Sequence, residues 1–147
     1  MSAQNSTPEI GEMIEAISTG RVAAKDLEML GQIEKKVRWL SSWTIHNANH
    51  IRPKRDGIKV GGHQASCASM TTLMTALYFN VLRPQDRVAV KPHASPVFHA
   101  INYLFGRQTR EKLENFRAFG GAQSYPSRTK DGDVVDFSTG SVGLGAA

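Results

Sequence analysis

Apolar residues recur every three or four positions in two long stretches of this chain, and this spacing limits its fold more than any other feature. The first stretch begins at Ala24 and the second at Met70. Their stripe positions are Leu27, Leu30, Ile33, Val37, Leu40 and Thr44, and Leu73, Met74, Leu77, Tyr78 and Val81. Such spacing is typical of amphipathic helices that bury one face. The sequence therefore predicts two packed helices, the second capped at its start by Ser66 or Ser69.

Two shorter helices and one strand are predicted further along the chain. Ser95 followed by Pro96 is typical of a helix N-cap and first turn, and Gly106 is typical of a helix end. Thr109 is predicted to start the next helix, and residues 87–90 alternate in a way that favours a β-strand.

The single strand indicates the fold class. A strand satisfies its backbone groups only in a sheet, and a strand followed by a helix, with helices on both sides, is typical of a parallel α/β sheet. Residues 118–141 show no periodicity and are expected to form a functional or disordered loop. The sequence thus predicts an α/β fold: the mostly helical N-terminal piece of a doubly wound parallel-sheet domain that this chain leaves incomplete.

Composition excludes several classes of protein. The single cysteine, Cys67, excludes an internal disulfide and a multi-cysteine zinc site, and it is interpreted as a buried helix residue in a reducing compartment. No apolar run approaches the roughly 20 residues of a membrane span, so a soluble, cytoplasmic protein is expected. The net charge of +5 favours anionic partners without choosing among them. Nucleic acid is not expected, because Glu28 and Glu34 dilute the basic face of the first helix.

Three clusters of small residues carry the candidate chemistry: 61–66 (GGHQAS), 91–96 (KPHASP) and 139–145 (TGSVGLG). Each surrounds a predicted helix start, where backbone N–H groups can face an anion. His93 also follows the predicted strand, which is where open α/β sheets bind ligands. His63 and His93 are therefore candidates for proton transfer near neutral pH, although turn or surface roles remain equally open.

The other histidines are interpreted as bystanders. His46 and His50 have metal-ligand spacing but no acidic residue between them, and His99 is placed on a helix face. No metal ligand is assigned in this chain.

The clusters, taken in order with LENFR (113–117) and SYPSR (124–128), resemble the start of the transketolase-like thiamine-diphosphate enzymes. Within that superfamily they are most similar to the homodimeric decarboxylating component of pyruvate dehydrogenase complexes. The resemblance divides the chain into a variable extension, 1–23, and a partial thiamine-diphosphate-binding domain, 24–147.

The resemblance implies roles for individual residues. His63 is expected to line the substrate channel, and His93 is expected to lie between cofactor and substrate. The backbone of Gly140, Ser141 and Val142 is expected to contact the aminopyrimidine ring of thiamine diphosphate. The Mg²⁺ that anchors the diphosphate is expected to find its ligands downstream of this chain.

The implied function is that of an N-terminal fragment of a 2-oxo acid dehydrogenase, acting on pyruvate in its full-length homodimer and inactive alone. The absence of histidine from 124–128 favours a 2-oxo acid over a sugar phosphate. Two alternatives remain open: a transketolase that transfers a two-carbon unit between sugar phosphates, and a non-catalytic helical module whose basic loop, Arg52 to Lys59, binds an anionic partner. Whether a lipoyl-bearing acyltransferase is a further partner also stays open.

Overall fold

The structure, a computed structural model, describes residues 24–132 and 134–142, and this part of the chain is mostly helical. Its α-helices are α1 (Ala24–His46), α2 (Gln64–Ala76), α3 (Ser95–Leu104) and α4 (Arg110–Glu114). Single π-helical turns, Asn47–Ile51 and Leu77–Val81, extend α1 and α2, and a 3₁₀ turn, Pro92–Ala94, precedes α3. The extension 1–23 and residues 143–147, which include the end of the third cluster, lie outside the described residues.

The predicted helix from Ala24 is confirmed. After its first turns, its buried face contains positions of the predicted apolar stripe. Val37 and Thr44 are fully buried, whereas Leu27 is 57% exposed because it precedes the part of α1 that packs on other helices. The buried face of α1 contacts both α2 and α3. These contacts fix where the loop between α1 and α2 can lie.

The second helix begins earlier than its apolar pattern indicates. Its N-cap is His63, and Cys67 N donates to His63 O at 2.9 Å, so the predicted caps Ser66 and Ser69 already lie inside α2. The prediction of a serine cap is therefore wrong. The positive φ of Gly62 sets the start instead, because that conformation cannot continue a right-handed helix.

The core forms where α3 lies against α1 and α2. Every residue from Ser95 to Asn102 is buried, and Val97, Ala100 and Ile101 have no exposed surface. Pro96 lies in the first turn as predicted, but the N-cap is Ala94, because the preceding 3₁₀ turn runs directly into α3. Gly106 ends the helix region at φ +70°, and Thr109 caps α4 by accepting from Lys112 N, as predicted.

The predicted strand at residues 87–90 is wrong for this chain. No β-strand occurs in 24–132 or 134–142, and residues 86–91 carry no regular secondary structure. Side chains from the last described residues replace a strand partner: Asp136 Oδ2 accepts from Val88 N at 2.9 Å, and Thr139 Oγ1 donates to Val90 O. The mostly helical character is therefore confirmed, while the parallel sheet is absent from the described part.

None of the described helices combines the length and the hydropathy that crossing a bilayer requires.

Candidate functional site

The Gly61–Gly62 turn that precedes His63 is held by a buried amide. Asn49, in the π turn after α1, accepts from Gly61 N through Oδ1 at 3.0 Å and donates to Gly61 O through Nδ2 at 2.9 Å. The same Nδ2 donates to Ile45 O at 2.7 Å. Because both backbone groups of Gly61 are engaged, Asn49 fixes the path of the chain immediately before His63.

Close packing explains the two glycines of this turn. Gly61 and Gly62 have φ values of +94° and +126°, which disfavour side chains. A Cβ at Gly62 would lie 2.9 Å from Ile45 Cγ2, and one at Gly61 would lie 2.5 Å from Arg117 Nη1. Arg117, itself at φ +63°, donates to Val60 O at 2.8 Å. The turn is thus clamped between α1 and the segment after α4.

His93 reaches the same place from the 3₁₀ turn. Cys67 on α2 donates from Sγ to His93 O at 3.4 Å, which ties the backbone of this turn to the helix that His63 caps. The His63 and His93 ring centroids are 4.7 Å apart, with the ring planes tilted by 46°. His63 is exposed and His93 is partly buried, so the structure brings both candidate histidines to one solvent-accessible place.

The last described residues hold the segment that leads into the second cluster, and one bond joins the second cluster to the third. Asp136 and Thr139 bind the backbone of residues 88–90 as described above, and Lys91 Nζ donates to Ser141 O at 3.3 Å. Tyr125 donates from its hydroxyl to Ser141 Oγ at 3.0 Å. Gly140 and Val142 are exposed, Val142 to 93%. Residues 140–142 therefore present an accessible edge beside Lys91, which immediately precedes the turn that carries His93.

A mostly apolar groove of about 400 Å³ adjoins His93. It is lined by α2, its π turn and the extended segment: Met70, Leu73, Met74, Leu77, Tyr78, Val88, Ala89, Val90, Lys91, His93 and Ala94. An imidazole at the edge of an apolar groove can hold or move a proton next to a ligand that the groove shields from water.

The donor set of the described residues suits an organic cofactor better than a metal ion. No group of three or more His, Cys, Asp and Glu side chains with the geometry to hold a metal occurs in residues 24–132 and 134–142. These residues therefore do not fit Mg²⁺. The two neighbouring imidazoles carry ring nitrogens that can hydrogen-bond to an organic ligand.

Sequence reasoning missed the part played by two positioning residues, and it did not foresee the burial of His99, which lies on a helix as predicted. Asn49 lies in no recognised motif, whereas Arg117 is the last residue of LENFR; the signals for them were a polar residue close after a long apolar stripe and this basic residue. His99 was placed on a helix face, but it is completely buried. Its Nε2 lies 2.7 Å from Gln123 O and its Nδ1 lies 3.0 Å from Gln108 Nε2.

The basic loop from Arg52 to Lys59, which the alternative non-catalytic function would use to bind an anion, makes hydrogen bonds within the protein itself. Arg52 Nη1 donates to Glu114 O and Phe116 O at 3.2 and 2.9 Å, and Lys54 Nζ donates to Asn49 O at 2.7 Å. Two of its basic side chains therefore anchor the loop to the body of the protein, which weakens the case for this loop as an anion-binding surface.

Comparison with curated proteins places the chain beside one enzyme component. It is similar to proteins named pyruvate dehydrogenase E1 component: 36% identical over 130 residues in Pseudomonas aeruginosa, 34% over 120 in Mycolicibacterium smegmatis and 31% over 129 in Escherichia coli. These alignments cover 82%, 74% and 82% of this chain but only 14%, 12% and 14% of those proteins. The resemblance found in the sequence is therefore confirmed, and the chain spans about one seventh of the relatives' length. No protein-family model and no solved structure matches it.

Proposed function

We propose that this chain is the N-terminal part of the decarboxylating component of a pyruvate dehydrogenase, and that it supplies His63 and His93 to a site for thiamine diphosphate and a 2-oxo acid. The observation that carries the proposal is the juxtaposition of the two rings, 4.7 Å apart, within the stretch that is similar to the E1 components. The two imidazoles come from different segments, and His93 lines the groove beside them.

The two histidines have the chemistry that decarboxylation requires near the reacting carbon. When bound, thiamine diphosphate supplies the sink for the electron pair released as a 2-oxo acid loses carbon dioxide. His93, partly buried beside the groove, orients the substrate carbonyl by hydrogen bonding, and the more exposed His63 exchanges protons with solvent. Each role needs a ring nitrogen and an accessible path, and both are present.

The 139–142 segment is assigned to the aminopyrimidine ring. Gly140 presents backbone without a side chain, and Ser141 is fixed through Lys91 and Tyr125. A rigid backbone edge of this kind can hold the ring's amino group in a defined direction. Val142, exposed at this edge, supplies the next contact.

The chain alone is proposed to be inactive. Without a carboxylate cluster for Mg²⁺ in the described residues, the negative charge of a diphosphate bound beside His63 and His93 would remain uncompensated. The strands of the parallel sheet and the second subunit of a homodimer are proposed to come from outside this chain. Titration of the isolated chain with thiamine diphosphate is expected to show no binding that requires Mg²⁺ or that is weakened when His63 and His93 become alanine.

The proposed substrate is pyruvate rather than a sugar phosphate. The three relatives compared above are all named for pyruvate dehydrogenase, and the 124–128 segment holds no histidine for a sugar phosphate. A lipoyl-bearing acyltransferase is the corresponding proposed acceptor of the product.

A chimera tests the function directly. Residues 24–142 replace the aligned stretch of the Escherichia coli E1 component, and pyruvate-dependent release of carbon dioxide is measured with thiamine diphosphate and Mg²⁺. We expect activity that falls by about 10²- to 10⁴-fold when His63 or His93 becomes alanine, because each supplies proton transfer or a hydrogen bond at the reacting centre.

His50→Ala is the matched control, since His50 is an exposed histidine outside the site. It is expected to retain full activity. A folded, cofactor-binding chimera whose activity survives both His63→Ala and His93→Ala would refute the assignment.

A further inference from the structure

A second cavity, of about 580 Å³, lies away from the two site histidines. It is bounded by the π turn after α2, the loop that follows it, the end of α3, Arg128 and residues 134–136. Its lining residues of most interest are Tyr78, Arg83, Asp86, Arg87, Asn102, Phe105, Arg107, Arg128 and Asp136. It shares only Tyr78 and Val88 with the groove beside His93.

Positive charge is in excess in this cavity, which four arginines and two aspartates line among the described residues. Arg87 is occupied, because its Nε lies 3.5 Å from Asp136 Oδ1 and its Nη1 donates to Pro84 O and Asp86 O at 3.1 and 2.9 Å. Asp136 is occupied as well, since its Oδ2 accepts from Val88 N. The charges of Arg87 and Asp136 therefore neutralise each other, and both residues form part of the cavity wall.

The remaining arginines have no carboxylate partner among the described residues. Asp86 Oδ2 accepts from the backbone N–H of Arg83 at 2.8 Å rather than from its guanidinium. Arg128 is held only through its backbone N–H, which donates to Ser138 Oγ. Three guanidinium groups, those of Arg83, Arg107 and Arg128, therefore line the cavity without an anionic partner.

One of these arginines is held by aromatic stacking. The guanidinium carbon of Arg107 lies 4.9 Å from the ring centroid of Phe105, and Phe105 stacks on Phe79 at 4.6 Å. A guanidinium placed in this way loses less conformational freedom when it binds an anion. Tyr78 and Asn102 add neutral hydrogen-bonding groups to the lining.

We propose that this cavity binds a small molecule that carries a diphosphate. Guanidinium groups match phosphate oxygens in paired hydrogen bonds, and three of them can share the charge of two linked phosphates. The volume is that of a small-molecule site rather than of a flat nucleic-acid surface. None of the residues assigned to catalysis or to the aminopyrimidine ring lines it, so this site stands whether or not the proposed function holds.

Calorimetric titration of the full chain with inorganic pyrophosphate tests the proposal. We expect saturable binding, tighter than that of orthophosphate, and a loss of about tenfold or more in affinity for the double variant Arg83→Gln and Arg128→Gln, because each change removes a charge-assisted hydrogen bond. ADP is titrated in parallel. If ADP and pyrophosphate bind with equal affinity, the diphosphate group alone is sufficient for binding. If ADP binds more tightly, the ligand is a nucleoside diphosphate whose base contacts the aromatic lining.

The matched control is the double variant Arg55→Gln and Lys59→Gln, which removes the same charge from an exposed loop outside the cavity. It is expected to bind pyrophosphate as the parent chain does, and so is the variant with both His63 and His93 changed to alanine. The proposal is overturned if the control loses affinity to the same extent as the arginine variant, if pyrophosphate does not bind, or if a single-stranded oligonucleotide binds more tightly and is lost with the same arginines.

Discussion

The rings of His63 and His93 lie with their centroids 4.7 Å apart, although one residue caps α2 and the other belongs to the 3₁₀ turn before α3. Their meeting depends on two backbone anchors, the Asn49 bonds to Gly61 and the Cys67 bond to His93 O. The relationship is therefore a product of tertiary structure and can be disturbed at a distance from either ring.

Substitution of Gly62 by alanine is expected to displace His63. The new Cβ would meet Ile45 Cγ2 at 2.9 Å at a φ of +126°, so we expect a loss of about 1–3 kcal/mol in the free energy of unfolding. Nuclear Overhauser contacts between the two imidazoles are expected to weaken at the same time. Gly57→Ala is the control, since nothing lies within 4 Å of a Cβ there. If both substitutions lowered the free energy of unfolding equally, close packing of Ile45 against Gly62 would not be what holds this turn.

Substitution of Asn49 by alanine is expected to loosen the Gly61–Gly62 turn, because it removes the side chain that binds both backbone groups of Gly61. Three hydrogen bonds are lost, and the N–H of Gly61 loses its acceptor, so we expect a loss of about 1–3 kcal/mol in the free energy of unfolding. Urea denaturation measures the loss, and hydrogen exchange at Gly61 N is expected to accelerate. Asn80→Ala, at an exposed asparagine of the second π turn, is expected to change neither quantity. A slow-exchanging Gly61 amide in Asn49→Ala would refute this role.

The helices could be predicted from the sequence because their apolar spacing is a local property. The stripe of α1 identifies Val37 and Thr44 as buried before any partner is known. Exposure of Leu27 and Leu73 could not be predicted, because it depends on where the neighbouring helices end rather than on periodicity. Even on a correctly predicted helix, tertiary packing decides which apolar positions are exposed.

The prediction of a strand at residues 87–90 was wrong for a similar reason. Alternating side chains predict a strand only where another strand supplies backbone partners. Here Asp136 and Thr139 satisfy the backbone of Val88 and Val90 through their side chains. The approach of these distant residues is not encoded in any local pattern, and the same holds for the burial of His99 between Gln108 and Gln123.

The thiol of Cys67 is expected to resist modification in the folded chain. It is 1% exposed, and burial raises its pKa from 9.0 to about 11, which the hydrogen bond from the Val97 backbone only partly opposes. At about pH 8 the thiolate fraction is then about 100-fold lower than in the unfolded chain. Reaction with a disulfide reagent is expected to be slow until denaturant is added.

A thiol moved by one residue provides the control for this experiment. The variant Cys67→Ala, Ala68→Cys places the thiol at an exposed position of the same helix. It is expected to react rapidly without denaturant. Rapid reaction of native Cys67 would contradict both its burial and its link to the His93 backbone.

The stability of the fold is expected to decline as the pH falls through the range in which histidine titrates. Burial lowers the pKa of His99 below its ordinary 6.5, although the Gln123 backbone bond and Asp131 oppose the shift. Above about pH 6.5 the imidazole is neutral in both states. Below that pH the unfolded chain takes up a proton that the folded chain does not, so the free energy of unfolding falls, by at most about 1.4 kcal/mol per pH unit for this group.

Urea denaturation between about pH 5 and pH 8 measures this slope. His99→Gln is expected to flatten it, because glutamine can donate to Gln123 O but binds no proton, even if it lowers stability at every pH. His50→Gln, which removes an exposed imidazole, is expected to preserve the slope of the parent chain. The change in slope separates a titrating group from a packing defect, since loss of packing alone shifts the whole curve. An unchanged slope in His99→Gln would show that another group is responsible for the acid sensitivity.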